Sequence, residues 1–200
     1  MNIFKYGQKE ITYLKKMDKK LGQAIDRIGM IEREVIPDLF TALIHSIVSQ
    51  QISAKAAVTV WNRLQERFGV ISPETLTSAS LTEIQQCGLS LRKASYIIGI
   101  CNAVIQGELN LAEMSQLQDE EIIKRLSALK GVGKWTAEML LIFSLERPDV
   151  VSWSDLGIRR GMMKLYGLKS LSPEQFSRYR KRYSPYGSVA SLYLWAIAAE

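Results

Sequence analysis

Apolar residues recur at three- and four-residue intervals along most of the chain, the spacing that places them on one face of an α-helix. After Pro37-Asp38, the residues Phe40, Leu43, Ile44, Ile47 and Val48 keep this rhythm. A second run begins behind Ser53, whose hydroxyl suits it to accept from the first free amides of a helix. It carries Ala57, Val60, Trp61, Leu64 and Phe68 to a stop at Gly69. Ser72-Pro73-Glu74 and Ser172-Pro173-Glu174 each predict an N-cap followed by proline at the first helical position, where a missing amide proton loses nothing. Periodicity predicts further helices over 91–104, 119–129, 134–145, 155–166, 173–182 and 185–199, and one helix over 8–28 with Gly22 as its weak point. Strand signals are scarce, and Val150-Val151 is too short to count. Short connections between these elements predict an all-α, compact, two-lobed helical assembly. The expectation is a single domain over 1–200. Its middle lobe would cover about 37–130, and its second lobe about 131–200 plus the N-terminal helices, with an active-site cleft between them.

Composition narrows this picture a little. Apolar residues make up 47% of the 200 and charged residues 23%, which excludes wholesale disorder. A net charge of +6 leans towards a polyanionic partner. Cys87 and Cys101 are too few for a disulfide framework or an iron–sulfur cluster, and one histidine with two separated cysteines makes a zinc site improbable. Met1-Asn2-Ile3-Phe4-Lys5 lacks the apolar run of a signal peptide, and no apolar segment is long enough to span a bilayer. A cytoplasmic protein is expected, nucleoid-associated if bacterial, with no membrane partner.

The chemistry concentrates in Leu129-Lys130-Gly131-Val132-Gly133-Lys134-Trp135-Thr136-Ala137 and in Asp155, which follows Ser154. Gly131 and Gly133 sit between two predicted helices, can take positive φ and let a ligand approach the backbone. Amides at the start of the second helix point at an anion that the helix dipole also favours. Val132 plugs the turn into the core in this reading, and Lys130 and Lys134 add charge. Taken alone, Asp155 reads as a structural N-cap, and Asp149 is a second candidate carboxylate.

The stretch 129–137 resembles the hairpin of the helix–hairpin–helix DNA glycosylase superfamily, and three more segments resemble its alkylpurine branch, the DNA-3-methyladenine glycosylase II type. They are Ile47-Val48-Ser49-Gln50-Gln51-Ile52-Ser53, Gly88-Leu89-Ser90-Leu91-Arg92-Lys93-Ala94 and Ser154-Asp155-Leu156-Gly157-Ile158-Arg159-Arg160. The extra N-terminal β-rich domain of the long bacterial enzymes is not expected in this chain. The resemblance implies base-excision repair: an alkylated purine is flipped from double-stranded DNA and its N-glycosidic bond hydrolysed, leaving an abasic site. Asp155 falls at the catalytic position, where a carboxylate stabilises the positive charge that builds on the sugar. At position 135 the related endonuclease III-like enzymes carry a nucleophilic lysine. Trp135 stands there in this chain, so no lyase activity is expected.

The resemblance further implies a base pocket walled by Trp135, Trp153 and Trp195, while Trp61 is read as core. The indole faces of such a pocket attract a cationic base. Expected DNA contacts are Gly131, Val132, Gly133, Lys134 and Thr136 of the hairpin, with Gln50, Gln51, Leu91 as an apolar wedge, and Arg92. Lys93 is placed with Arg92 at the phosphates. Arg178, Arg180, Lys181 and Arg182 are read as a solvated helix face, and His45 as structural. No cofactor or protein-bound metal is expected, although hairpin carbonyls of the family hold a monovalent cation when DNA is bound. The protein is expected to be a monomer. Glycosylases of the same fold for deaminated or oxidised bases, and a non-catalytic DNA-binding module, are the competing readings.

Overall fold

Polar side chains at helix starts set most of the boundaries in the computed structural model, which describes residues 2–200. Helices α3 (Leu39–Ser49), α4 (Ala54–Phe68), α5 (Pro73–Thr77), α7 (Leu91–Ile105), α10 (Leu156–Tyr166) and α11 (Pro173–Tyr183) start behind Asp38, Ser53, Ser72, Ser90, Asp155 and Ser172. Each of those side chains accepts from an amide of the first turn. Helices α8 (Asp119–Ser127), α9 (Lys134–Phe143) and α12 (Gly187–Ala199) complete the predicted set, all within the expected all-α class.

Three features depart from the periodicity reading. The predicted helix over 8–28 is two helices, α1 (Gln8–Met17) and α2 (Lys19–Ile28). The break falls at Asp18, not at Gly22. Asp18 adopts extended geometry and turns its carboxylate onto the amides of Lys20 and Leu21, starting a new helix. Gly22 instead lets α2 lie close on α1, since a Cβ there would come 3.1 Å from the Lys15 Cα. A short helix α6 (Leu81–Gln86) was not predicted; Ser80 and Glu83 form a capping box that nucleates it. Asn2–Ile3 (β1) and Glu34–Val35 (β2) pair antiparallel, Asn2 opposite Val35.

The chain divides into two compact units, residues 36–140 and residues 1–35 with 141–200. In the first, α7 packs against α3, α5 and α6, around Leu43, Ile44, Ile47, Leu64, Leu76, Ile84, Ile97 and Ile100, all fully buried. Cys101 lies in this core, where burial pushes its thiol up to about 12. His45 meets Trp61 edge-on at 5.0 Å, and burial holds its imidazole below the ordinary range.

In the second unit α12 is central, packed against α10, α2 and α11. Its residues from Gly187 to Leu194 are all buried, so it shows no amphipathic stripe. Gly161 of α10 permits the closest approach, because a Cβ there would overlap the Leu194 backbone. Asp18 organises a polar core in this unit: its Oδ2 accepts from Tyr166 Oη at 2.6 Å and from Arg182 Nη1 at 3.0 Å. Arg182 therefore belongs to a structural ion pair, and the reading of 178–182 as a merely solvated face is corrected at that residue.

Candidate functional site

The hairpin is a turn built on one glycine in the left-handed region. Gly131 has φ +90, while Gly133 keeps an ordinary negative φ, so the turn needs left-handed freedom at only one of its glycines. A side chain at 131 would also run into the Tyr96 ring. The Val132 amide donates back to Leu129 O, and its side chain is buried. Val132 therefore anchors the turn, as the sequence reading had it, and its side chain offers nothing to a ligand. Thr136 is buried as well, whereas Gly133, Lys134 and Trp135 are exposed. Gly133 has open space around its Cα, the condition for a phosphate to approach. The opening amides of α9 follow directly, and the first turn of a helix has no intrahelical acceptors for them.

A second polar loop joins the hairpin within the same unit. Gln50 closes α3 and sends its side-chain amide to Gly131 O at 2.8 Å. Gln51 is held at φ +56, an uncommon conformation for a residue with a side chain. Lys93 does not join Arg92 in facing outward. Its ammonium donates to Val48 O at 2.8 Å and Gln50 O at 2.6 Å, and burial lowers its pKa from the ordinary lysine value. This corrects the phosphate-contact expectation for Lys93. Leu91, at the first position of α7, is 55% exposed and so is not a core leucine. Ile52 beside Gln51 is exposed too, a second apolar tip that the sequence reading left unassigned.

A monovalent cation at the hairpin would find neutral carbonyls of suitable chemistry. Leu129 O already accepts from Val132 and Gly131 O from Gln50, and each keeps a second lone pair. Among the described residues no group of His, Cys, Asp or Glu is gathered to hold a metal ion.

In the other unit Asp155 is the N-cap of α10 and is 7% exposed. Its Oδ1 accepts from the Ile158 amide at 2.7 Å and from Trp195 Nε1 at 2.9 Å. The capping role does not preclude chemistry: the buried carboxylate is held by the Ile158 amide and the Trp195 indole at the positive end of a helix. Gly157 makes this closure possible. A Cβ there would lie 2.8 Å from Trp195 Cδ1 and 3.1 Å from Asp155 Oδ1. Phe143 stands 5.5 Å from the Trp195 ring and beneath the Arg33 guanidinium. The sequence reading missed this aromatic, because nothing local distinguishes Phe143 from a core residue.

Trp153 lies in the same unit, edge-on to Phe176 at 5.1 Å with the Arg159 guanidinium over its ring. Asp149 is committed elsewhere: Ser184 Oγ and the Gly187 amide donate to its carboxylate. Ser188 and Ser191 continue this stitching, bonding Val150 N, Arg147 O and Val150 O. The loop leading to Asp155 is thereby fastened to the start of α12, and the second candidate carboxylate is structural.

The glycine hairpin and the buried carboxylate capping the next helix both fall inside the stretch by which the chain is classed with base excision DNA repair proteins. The chain belongs to the HhH-GPD superfamily of base excision DNA repair proteins, whose pattern matches residues 44–185. Among solved structures it is similar to a DNA-3-methyladenine glycosidase from Bacillus halodurans, 37% identical with a TM-score of 0.88, covering 99% of this chain and 93% of that one. It is also similar to the Schizosaccharomyces pombe 3-methyladenine DNA glycosylase in complex with abasic DNA, at 31% identity and TM-score 0.80, covering 94% and 95%. In sequence it is 35% identical over 161 residues to DNA-3-methyladenine glycosylase 1 of Schizosaccharomyces pombe, 78% of this chain and 71% of that protein. Among the described residues no helix is long and apolar enough to cross a membrane.

Proposed function

We propose that the chain is a monofunctional DNA glycosylase that removes alkylated purines of the 3-methyladenine type from double-stranded DNA. The observation that carries this reading is the Asp155 carboxylate, buried at the head of α10 and oriented by Ile158 N and Trp195 Nε1. Membership of the superfamily, and likeness to proteins named for 3-methyladenine, supply the substrate class.

In the proposed reaction the damaged nucleotide leaves the stack and its base is received by aromatic side chains, for which Trp135, Trp153 and Trp195 are the candidates. Trp195 has the strongest support, since its ring edge bonds the carboxylate directly. As the C–N bond lengthens, positive charge builds on the deoxyribose, and the fixed negative charge of Asp155 stabilises it without reorganisation. Water then adds at the anomeric carbon, its proton passing to the carboxylate or to solvent, and an alkylated purine leaves without needing prior protonation. Trp135 offers no amine to attack that carbon, so the product is an abasic site with an intact strand. Gly131, Val132, Gly133, Lys134 and Thr136 would engage phosphate chiefly through the backbone, with Gln50, Gln51, Leu91 and Arg92 as further contacts. The protein acts as a monomer in this reading, on DNA in the cytoplasm.

Incubation with methylated duplex DNA tests the proposal by measuring free base and abasic sites. Wild type releases methylated purine, and strands break only after heat or alkali. Release by Asp155→Asn at the wild-type rate overturns the catalytic assignment; breaks formed without heat or alkali overturn the monofunctional one.

A further inference from the structure

Three parts of the 36–140 unit that the proposed function turns towards DNA meet on one short stretch of α7. Lys93 lies in its first turn, and Tyr96 follows three residues later on the same side of the helix. Tyr96 sets the floor beneath Gly131 of the hairpin, where no Cβ would fit. The Lys93 ammonium takes Val48 O and Gln50 O, the carbonyls at the end of α3. Gln50 then reaches from that loop to Gly131 O. A closed circuit results, from α7 through Lys93 to Gln50, across to Gly131, and back through Tyr96 to α7.

The placement of the lysine is telling in itself. A cation in the first turn of a helix sits at the wrong end of the dipole for its own helix. At the end of α3 it sits at the right one, where the last carbonyls lack intrahelical donors. The acceptors its ammonium takes are those two carbonyls, at 2.8 and 2.6 Å. The loop it holds contains Gln51 at φ +56, a conformation that persists only where surrounding contacts enforce it.

We infer that Lys93 is a positioning residue: it locks the Gln50–Ile52 loop in register with the glycine hairpin, so that both present to one DNA backbone, without touching DNA itself. This rests on the proposed function, and it makes Gln50 chiefly a strut between two loops. It separates Lys93 from its neighbour Arg92, which is exposed and remains a phosphate candidate.

The test is binding of Lys93→Met, Gln50→Leu and the double variant to a duplex carrying an abasic site, over a range of salt. Lys93→Met should weaken binding about tenfold, and Gln50→Leu by a similar factor, with the double variant little worse than either because both break one circuit. The slope of log affinity against log salt should equal that of wild type, since no phosphate contact is removed. Lys93→Arg, which keeps the charge and donors, should recover most of the loss. A slope reduced by about one unit would mean a direct phosphate contact and would overturn the inference. So would additive losses in the double variant, or wild-type affinity in Lys93→Met. Should Lys93→Met fail to fold, Lys93→Gln, which keeps one donor, carries the same slope and cycle measurements. Base release by wild type separates the two levels. If wild type releases methylated purine while the Lys93 variants bind as wild type, only the positioning role falls. If wild type neither binds nor releases, the functional reading falls and this inference with it.

Discussion

The hairpin and the Asp155 frame achieve order by opposite means. At the hairpin the groups offered outward are backbone amides, with one buried valine as an anchor and an exposed lysine alongside. Around Asp155 the chemical group is a side chain: a carboxylate that accepts from the Ile158 amide and the Trp195 indole, with two glycines that let the indole and α12 come close. Backbone amides are the same whatever the residue, so the first device suits a ligand gripped without regard to sequence. The second suits a transition state whose charge must meet a fixed partner. Each region should therefore fail differently when changed.

The largest contrast is expected at Asp155. Asp155→Asn should lower base release at least about a thousandfold, while affinity for an abasic duplex stays close to wild type. A loss of binding as large as the loss of release would erase the distinction between the two regions. Next comes Gly161→Ala, which drives a methyl group into the Leu194 backbone. Overpacking of this kind costs about 1–3 kcal/mol, visible in thermal denaturation, and release should fall with it as α12 carries Trp195 away from Asp155. Trp195→Phe keeps an aromatic ring but removes the N–H together with the second ring of the indole. Base release should fall at least about tenfold, the size expected for one hydrogen bond to a charged group. An unchanged rate would show that the carboxylate stays oriented without the Trp195 N–H.

The smallest effect belongs to the hairpin. Gly133→Ala meets open space at ordinary φ, so folding should be unaffected. Affinity for duplex DNA should drop about threefold to tenfold, equally for every sequence, because only backbone approach is obstructed. A sequence-dependent loss would argue that the turn reads bases.

What could be read in the linear sequence was what is decided locally. Asp155 and the serines declared themselves as caps, because an N-cap needs only its own turn. The hairpin was legible for the same reason: glycine, buried valine, glycine between two periodic runs. Directions taken by long side chains were not. Lys93 and Arg92 are adjacent and chemically alike, yet one turns inward to α3 carbonyls that lie more than forty residues away in sequence. Asp18 is a local N-cap as well, accepting from Lys20 and Leu21, yet the unbroken apolar rhythm over 8–28 masked it; its other partners, Tyr166 and Arg182, belong to the far end of the chain. From the residues alone Asp149 was a second candidate beside Asp155; the resemblance favoured Asp155, and Ser184 and Gly187 hold Asp149 in a structural role. The bond from Trp195 to Asp155 depends on a helix crossing that no local pattern encodes.

Trp135 carries a consequence for how the protein can be watched. Its indole is 46% exposed in the first turn of α9, next to the hairpin, whereas Trp61 faces His45, Trp153 faces Phe176 and Trp195 is bonded to a carboxylate. Of the four, Trp135 is the one whose emission is most open to solvent, and therefore to quenching by a base laid against it. Trp135 is thus a built-in optical probe. With the other three indoles replaced, a stopped-flow trace of its fluorescence would follow the arrival of DNA with no label attached.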